Sequence, residues 1–307
     1  MNTTTPHAPL PGTACASHAA RLPDTVGTAK TPTLQSPANA CDSHIHVFDQ
    51  RFMHVGSSPI ISDDSTADHY RAFQQRIGTQ RVVVVTPRAY GTDNSVTLDA
   101  ICRLGRERAR GVAAVTSDVT DGQLETLHSG GIRGIRFTLY RPEHAVTNFA
   151  MVEALARRVH ELGWHVQLHW TADQIVQHTD LLLRLPSTIV FDHLARLPLP
   201  AGTSHPAFHV VRHLLDGGRT WIKLSGPYLD SQSGAADGYA DLDGVIESWV
   251  EAAPERLVWG SDWPHATETV KPDDAMLFDL LRRWTGSPSV LEQVLVTNPA
   301  QLYEFGT

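Results

Sequence analysis

The chain has 307 residues, 41% hydrophobic and 19% charged, the composition of an ordinary globular protein with a sizeable core. Its formal charge of −8 argues against a nucleic-acid partner, because a phosphate-binding surface is normally basic. No apolar stretch approaches the roughly 20 residues that span a bilayer, so no membrane partner is expected. Three cysteines, Cys15, Cys41 and Cys102, are too few and scattered for a disulfide framework, which points to the cytoplasm.

The first segment is rich in Pro, Thr and Ala, has no hydrophobic period and lacks a basic leader followed by an apolar run. Residues 1–38 are therefore expected to form a flexible leader or surface arm, and residues 39–307 a single domain. From residue 41 onward, short β-rich runs alternate with helical stretches. The runs are CDSHIHV (41–47), RVVVVTP (81–87), GVAAVT (111–116), RGIRFTL (133–139), HVQLHW (165–170), STIVFDH (187–193), TWIKLSG (220–226) and RLVWGSD (256–262). Most are apolar without strict alternation, as suits strands buried on both faces of a parallel sheet. Helical patterns lie between them at 94–109, 148–163, 208–218 and 239–253, with Asn94 and Asn148 as candidate N-caps.

Eight β/α units over this length predict an α/β fold, a (β/α)₈ TIM barrel. A doubly wound open sheet is the alternative, but the first run ends in HVFD with no Gly-rich turn after it. In such a barrel the active site lies at the C-terminal ends of the strands, and polar residues collect there. Run one carries His44 and His46, run four Arg133 and Arg136 followed by Tyr140, and run five His169. Run six ends at Asp192 and His193 with Arg196 beyond, run seven offers Lys223 and Ser225, and run eight leads to Asp262 and His265. A lone strand-end histidine usually has a structural role, and Lys223 could simply cap a nearby carboxylate. Asp262 is harder to dismiss, since an ionised carboxylate ending an apolar strand is costly unless paired or working.

DSHIHVFD, FDHLAR and VWGSDWPH, in this order, resemble motifs of the amidohydrolase superfamily and of its lactonase branch, as do YGTDNSVTLDAI, GGIRGIRF and VTNPAQLY. The resemblance implies catalytic roles for Asp262, as the acid that activates water, and for His44, His46 and His193. It implies substrate binding by Arg133, Arg136 and Arg196, with Tyr140, His169 and His265 in the same mouth. Two features depart from the pyrone-dicarboxylate members of the branch. His169 stands where they carry a tyrosine, and Tyr228 lies in the loop where they place a basic residue.

The implied reaction is hydrolytic ring opening of a small acid-bearing lactone. The alternatives are a lactone isomerase of the galactarolactone type and a metal-dependent amidohydrolase or decarboxylase. A general base at Asp262 needs a somewhat raised pKa, which burial can supply. The serine-elbow pattern Gly-x-Ser-x-Gly is absent, so no covalent nucleophile is expected. The cofactor question has two answers: none strictly required, or one divalent metal such as zinc on His44, His46, His169 and Asp262. The sequence assigns no oligomeric state.

Overall fold

The structure, a computed structural model, describes residues 30–55 and 65–306, so most of the expected leader lies outside the described residues. Eight parallel strands form one sheet in the order β1 to β8. They are β1 (Cys41–Ile45), β2 (Arg81–Val85), β3 (Ala109–Ala113), β4 (Ile132–Thr138), β5 (His165–His169), β6 (Ile189–Phe191), β7 (Thr220–Leu224) and β8 (Leu257–Trp259). This consecutive order is that of a TIM barrel and differs from a doubly wound sheet, which reverses direction at a switch point.

Helices follow the strands around the outside: α1 (Ala67–Ile77), α2 (Ser95–Leu104), α3 (Asp121–Ser129), α4 (Phe149–His160), the pair α5 (Ala172–Gln177) and α6 (Thr179–Arg184), α7 (Pro206–Asp216), α8 (Asp243–Ala252) and α9 (Asp274–Thr285). Two short helices, α10 (Pro288–Glu292) and α11 (Asn298–Tyr303), complete the chain. The strongest caps are reciprocal boxes, Thr120 with Gln123 on α3 and Thr171 with Gln174 on α5. Asn94 and Asn148 stand at the N-cap positions of α2 and α4, but neither side chain caps its helix. The Asn94 Oδ1 instead accepts from the Thr86 hydroxyl at 2.9 Å and the Ala114 N–H at 2.8 Å, tying the ends of β2 and β3 together.

Beneath the sheet, Tyr303 and Phe305 pack with Cys41, Val83, Val85 and Val112. Residues 33 and 34, inside the segment read as a leader, hold to the barrel: the Thr33 and Leu34 N–H groups donate to Asp279 of α9, and Leu34 is buried.

The barrel closes through the segment after β8. The Asp262 N–H donates to the His44 carbonyl and the His46 N–H to the Trp263 carbonyl, each at 2.8 Å. The β1–β2 register shifts between Asp42 and Ile45, the mark of a bulge. Cys41 packs with the lower core, Asp42 turns to Tyr70 of α1, and His44, within the bulge, and His46, beyond it, bring their Nε2 atoms together in the mouth.

Candidate active site

The closing seam places Asp262 against β1. Gly260 permits that approach, since a Cβ there would lie 2.5 Å from the His44 Cβ. The buried Asp42 carboxylate fixes the next residue by accepting from the Ser261 N–H at 2.8 Å and its hydroxyl at 2.6 Å. Burial pushes Asp42 up to about 6, against the pull of those hydrogen bonds. Asp262 follows with a left-handed φ of 60°. Its Oδ1 lies 3.5 Å from the Nε2 of both His44 and His46, and these two nitrogens are 3.3 Å apart.

Hydrogen-bond partners assign the tautomers. The His46 Nδ1 lies 2.8 Å from the Val85 carbonyl, which can only accept, so Nδ1 carries the proton and the neutral ring offers a bare Nε2. The proton between the two Nε2 atoms then belongs to His44. Its Nδ1 accepts from the Lys223 ammonium at 3.2 Å, which also donates to the Ser43 carbonyl at 2.9 Å and to Gln167 Oε1 at 2.8 Å. Burial holds His44 and His46 below the ordinary imidazole range, and His193 at about 4. All three are neutral at pH 7.

His193 enters on a turn in which His193, Leu194, Ala195 and Arg196 have φ of 47°, 59°, 60° and 52°. Left-handed backbone costs L-residues about 1–2 kcal/mol each, so this turn concentrates strain at the mouth. It brings the His193 ring centroid within 4.9 Å of His44 and 5.2 Å of His169, with Nδ1 3.0 Å from the Ser225 hydroxyl.

Beneath these rings lies a buried network around Asp192 and Gln167, two residues that the sequence reading left without a role. Asp192 Oδ2 accepts from Arg136 Nε at 2.9 Å and Gln167 at 3.1 Å, and its Oδ1 lies 3.3 Å from His44 Nδ1 and 3.7 Å from Lys223. Burial pushes this carboxyl up, but the Arg136 guanidinium and the Lys223 ammonium hold it well below the ordinary range. Lys223 is pushed down to about 8 by burial, against the attraction of Asp192. A lysine within the apolar run TWIKL, and an aspartate directly before His193, were the signals available in the sequence.

Asp262 differs from the expectation of a raised pKa. Burial does push it up, but His193, His44 and His46, protonated at the acid pH where this carboxyl titrates, and the Tyr228 hydroxyl outweigh that effect and hold it below the ordinary range. Tyr228 donates to Asp262 Oδ2 at 2.7 Å and lies 3.0 Å from His265 Nδ1. His265, with φ of 56°, is thus joined to Asp262 through the tyrosine.

The arginines separate. Arg133 is the second residue of β4, at the N-terminal end of the barrel, and pairs with Glu304 at 2.8 Å, which removes it from the mouth. Arg136, three residues on, is in the mouth and buried, and its terminal nitrogens have no hydrogen-bond partner among the described residues. Arg196 is there too, but engaged: Nε and Nη2 donate to Asp230 at 2.7 and 2.9 Å, Nη1 lies 3.1 Å from His169 Nε2, and its plane covers Tyr140 at 4.2 Å. Tyr140 stacks on His169 with centroids 5.2 Å apart.

Among the described residues, ligand atoms of His44, His193 and Asp262 lie within 4.8 Å of one another, a group able to hold a cation. Of the set read from the sequence, His44 and Asp262 are in this group and His46 and His169 are not; the His169 Nε2 lies 3.1 Å from the Arg196 guanidinium.

A family model described as amidohydrolase matches residues 41–305. A 4-sulfomuconolactone hydrolase of Rhizobium radiobacter is 34% identical over 276 residues, covering 87% of this chain and 90% of the relative. A D-galactarolactone isomerase of Agrobacterium fabrum is 29% identical over 283 residues, covering 91% and 94%. An apo crystal structure of an Agrobacterium tumefaciens protein superposes with a TM-score of 0.83 at 28% identity, covering 91% of this chain and 98% of that one.

Proposed function

The chain belongs to the amidohydrolase family, and from that premise we propose that it hydrolyses the ring ester of a small, acid-bearing lactone. The carrying observation is the buried, ionised Asp262 carboxylate 3.5 Å from two imidazole nitrogens that differ in role. Asp262 Oδ1 takes a proton from the attacking water, with the bare His46 Nε2 accepting the water's other hydrogen bond. The His44 Nε2–H and the Arg136 guanidinium donate to the carbonyl oxygen as it gains charge. The new bond runs from water oxygen to carbonyl carbon, and the bond that breaks joins that carbon to the ring oxygen. The proton taken from water then passes from Asp262 to the departing ring oxygen. Arg136 also supplies positive charge for the substrate's acid group. The 34% identical sulfomuconolactone hydrolase supports hydrolysis of this ester class.

A divalent ion held by His44, His193 and Asp262 would polarise the carbonyl and acidify water. The steps above need only the chain's own groups. Turnover is therefore expected to survive chelation, and activity lost to a chelator and restored by zinc would overturn that part of the reading.

The test is a panel of aldonic, aldaric and muconic lactones followed by acid release. Ring opening with one proton released per turnover is expected, and Asp262→Asn should lower kcat by about 10²–10⁴ without unfolding the protein. Conversion of one lactone into another without acid release would replace hydrolysis by isomerisation.

A further inference from the structure

Four side chains run in line from the reacting end of the site to the outer helices. Tyr228 Oη is 2.7 Å from Asp262 Oδ2, His265 Nδ1 is 3.0 Å from that hydroxyl, and His265 Nε2 is 2.7 Å from Asp274 Oδ1. Asp274 opens α9, its side chain is one-fifth exposed, and its other oxygen accepts from Arg76 of α1 at 2.9 Å. His265 itself is buried. Every gap is hydrogen-bond length, and every interior member can both give and receive a proton.

We propose that Tyr228, His265 and Asp274 form a proton exit, carrying to solvent the proton that each lactone hydrolysis leaves behind. The proposal rests on the hydrolytic reading. A lactone plus water yields a hydroxy-carboxylate and one proton: one water hydrogen ends on the ring oxygen, and the other is released as the new acid ionises. Isomerisation releases no proton and would need no such exit.

The transfer balances along the chain. Once Asp262 has given the first water proton to the ring oxygen, the new carboxylic acid passes its own proton to the freed Asp262 carboxylate, and Asp262 gives a hydrogen to Tyr228 Oη while the tyrosine's own hydrogen passes to His265 Nδ1. The ring's other proton, on Nε2 because a carboxylate cannot donate, passes to Asp274 and then to water, and rotation of the imidazole restores the starting tautomer. Tyr228 acts by simultaneous gain and loss. Burial and the adjoining Asp262 charge push its pKa well above the ordinary phenol range, so it does not stand as a tyrosinate.

His265→Gln and Tyr228→Phe test this in the full chain, at one fixed pH and ionic strength and in minimal buffer. Each should lose at least about tenfold in kcat with little change in KM. Added imidazole should restore the His265→Gln variant saturably while leaving the wild type unmoved, an effect no merely structural role predicts. Asp274→Asn, near the surface, should show a smaller loss with the same rescue. Variants within twofold of wild type, or folded variants whose loss imidazole does not relieve, would overturn the exit and leave hydrolysis standing. A wild-type protein that releases no acid from any lactone would overturn both.

Discussion

Asp230 shows how a charge can stand in a site and still be unavailable. It engages Arg196 through two hydrogen bonds, so the guanidinium that family resemblance assigns to a substrate carboxylate already has one. A lactone with a single acid group, served by Arg136, fits this arrangement better than a dicarboxylate. Asp230→Asn should free Arg196 and lower KM for dicarboxylate lactones by about tenfold relative to monocarboxylate ones, the value of one charge-assisted hydrogen bond. An unchanged ratio of the two KM values would count against this view of selectivity. The sequence could not separate Arg196 from Arg136, because both lie at a mouth and only the partner distinguishes them. Arg133 was separable in principle: it opens its run, whereas barrel chemistry gathers where runs end.

The turn from His193 to Arg196 is the element that most constrains the site. Four consecutive left-handed residues deliver an imidazole and a guanidinium to one mouth, and none of the four is glycine. Ala195 is buried with φ of 60°. Ala195→Val should therefore cost about 2 kcal/mol or more, a β-branched side chain at positive φ being a true outlier. Ala195→Gly should stay within about 1 kcal/mol of wild type. Denaturant midpoints compare the two, and a valine variant as stable as wild type would show the turn to be unstrained. A sequence reader sees FDHLAR and expects an ordinary loop, since nothing in those residue types announces αL backbone. The β1 bulge was equally hidden, although the period-2 spacing of His44 and His46 did give their shared direction.

Across the whole molecule, buried neutral imidazoles make the fold acid-sensitive. His165 is buried, and burial pushes it down to about 3. Unfolded, it takes a proton below about 6.5, so its contribution is complete above that pH and declines as pH falls toward 3. At pH 5 this one ring costs about 2 kcal/mol relative to neutral pH, and His193 adds a similar amount. Asp42, raised to about 6, works in the opposite direction but returns only about 1.4 kcal/mol over the same interval. The denaturant midpoint should be lower at pH 5 than at pH 7.5, and an equal or higher midpoint would refute the assignment of neutral buried rings. The sequence alone determined the eight-unit barrel and most of the polar residues at its mouth, because apolar periodicity and strand-end position are local properties. The tertiary structure alone decided which charges are free, which nitrogen carries a proton, and how Tyr228 and His265 connect Asp262 to the surface. Those depend on distances between strands far apart in the chain, which no local pattern encodes.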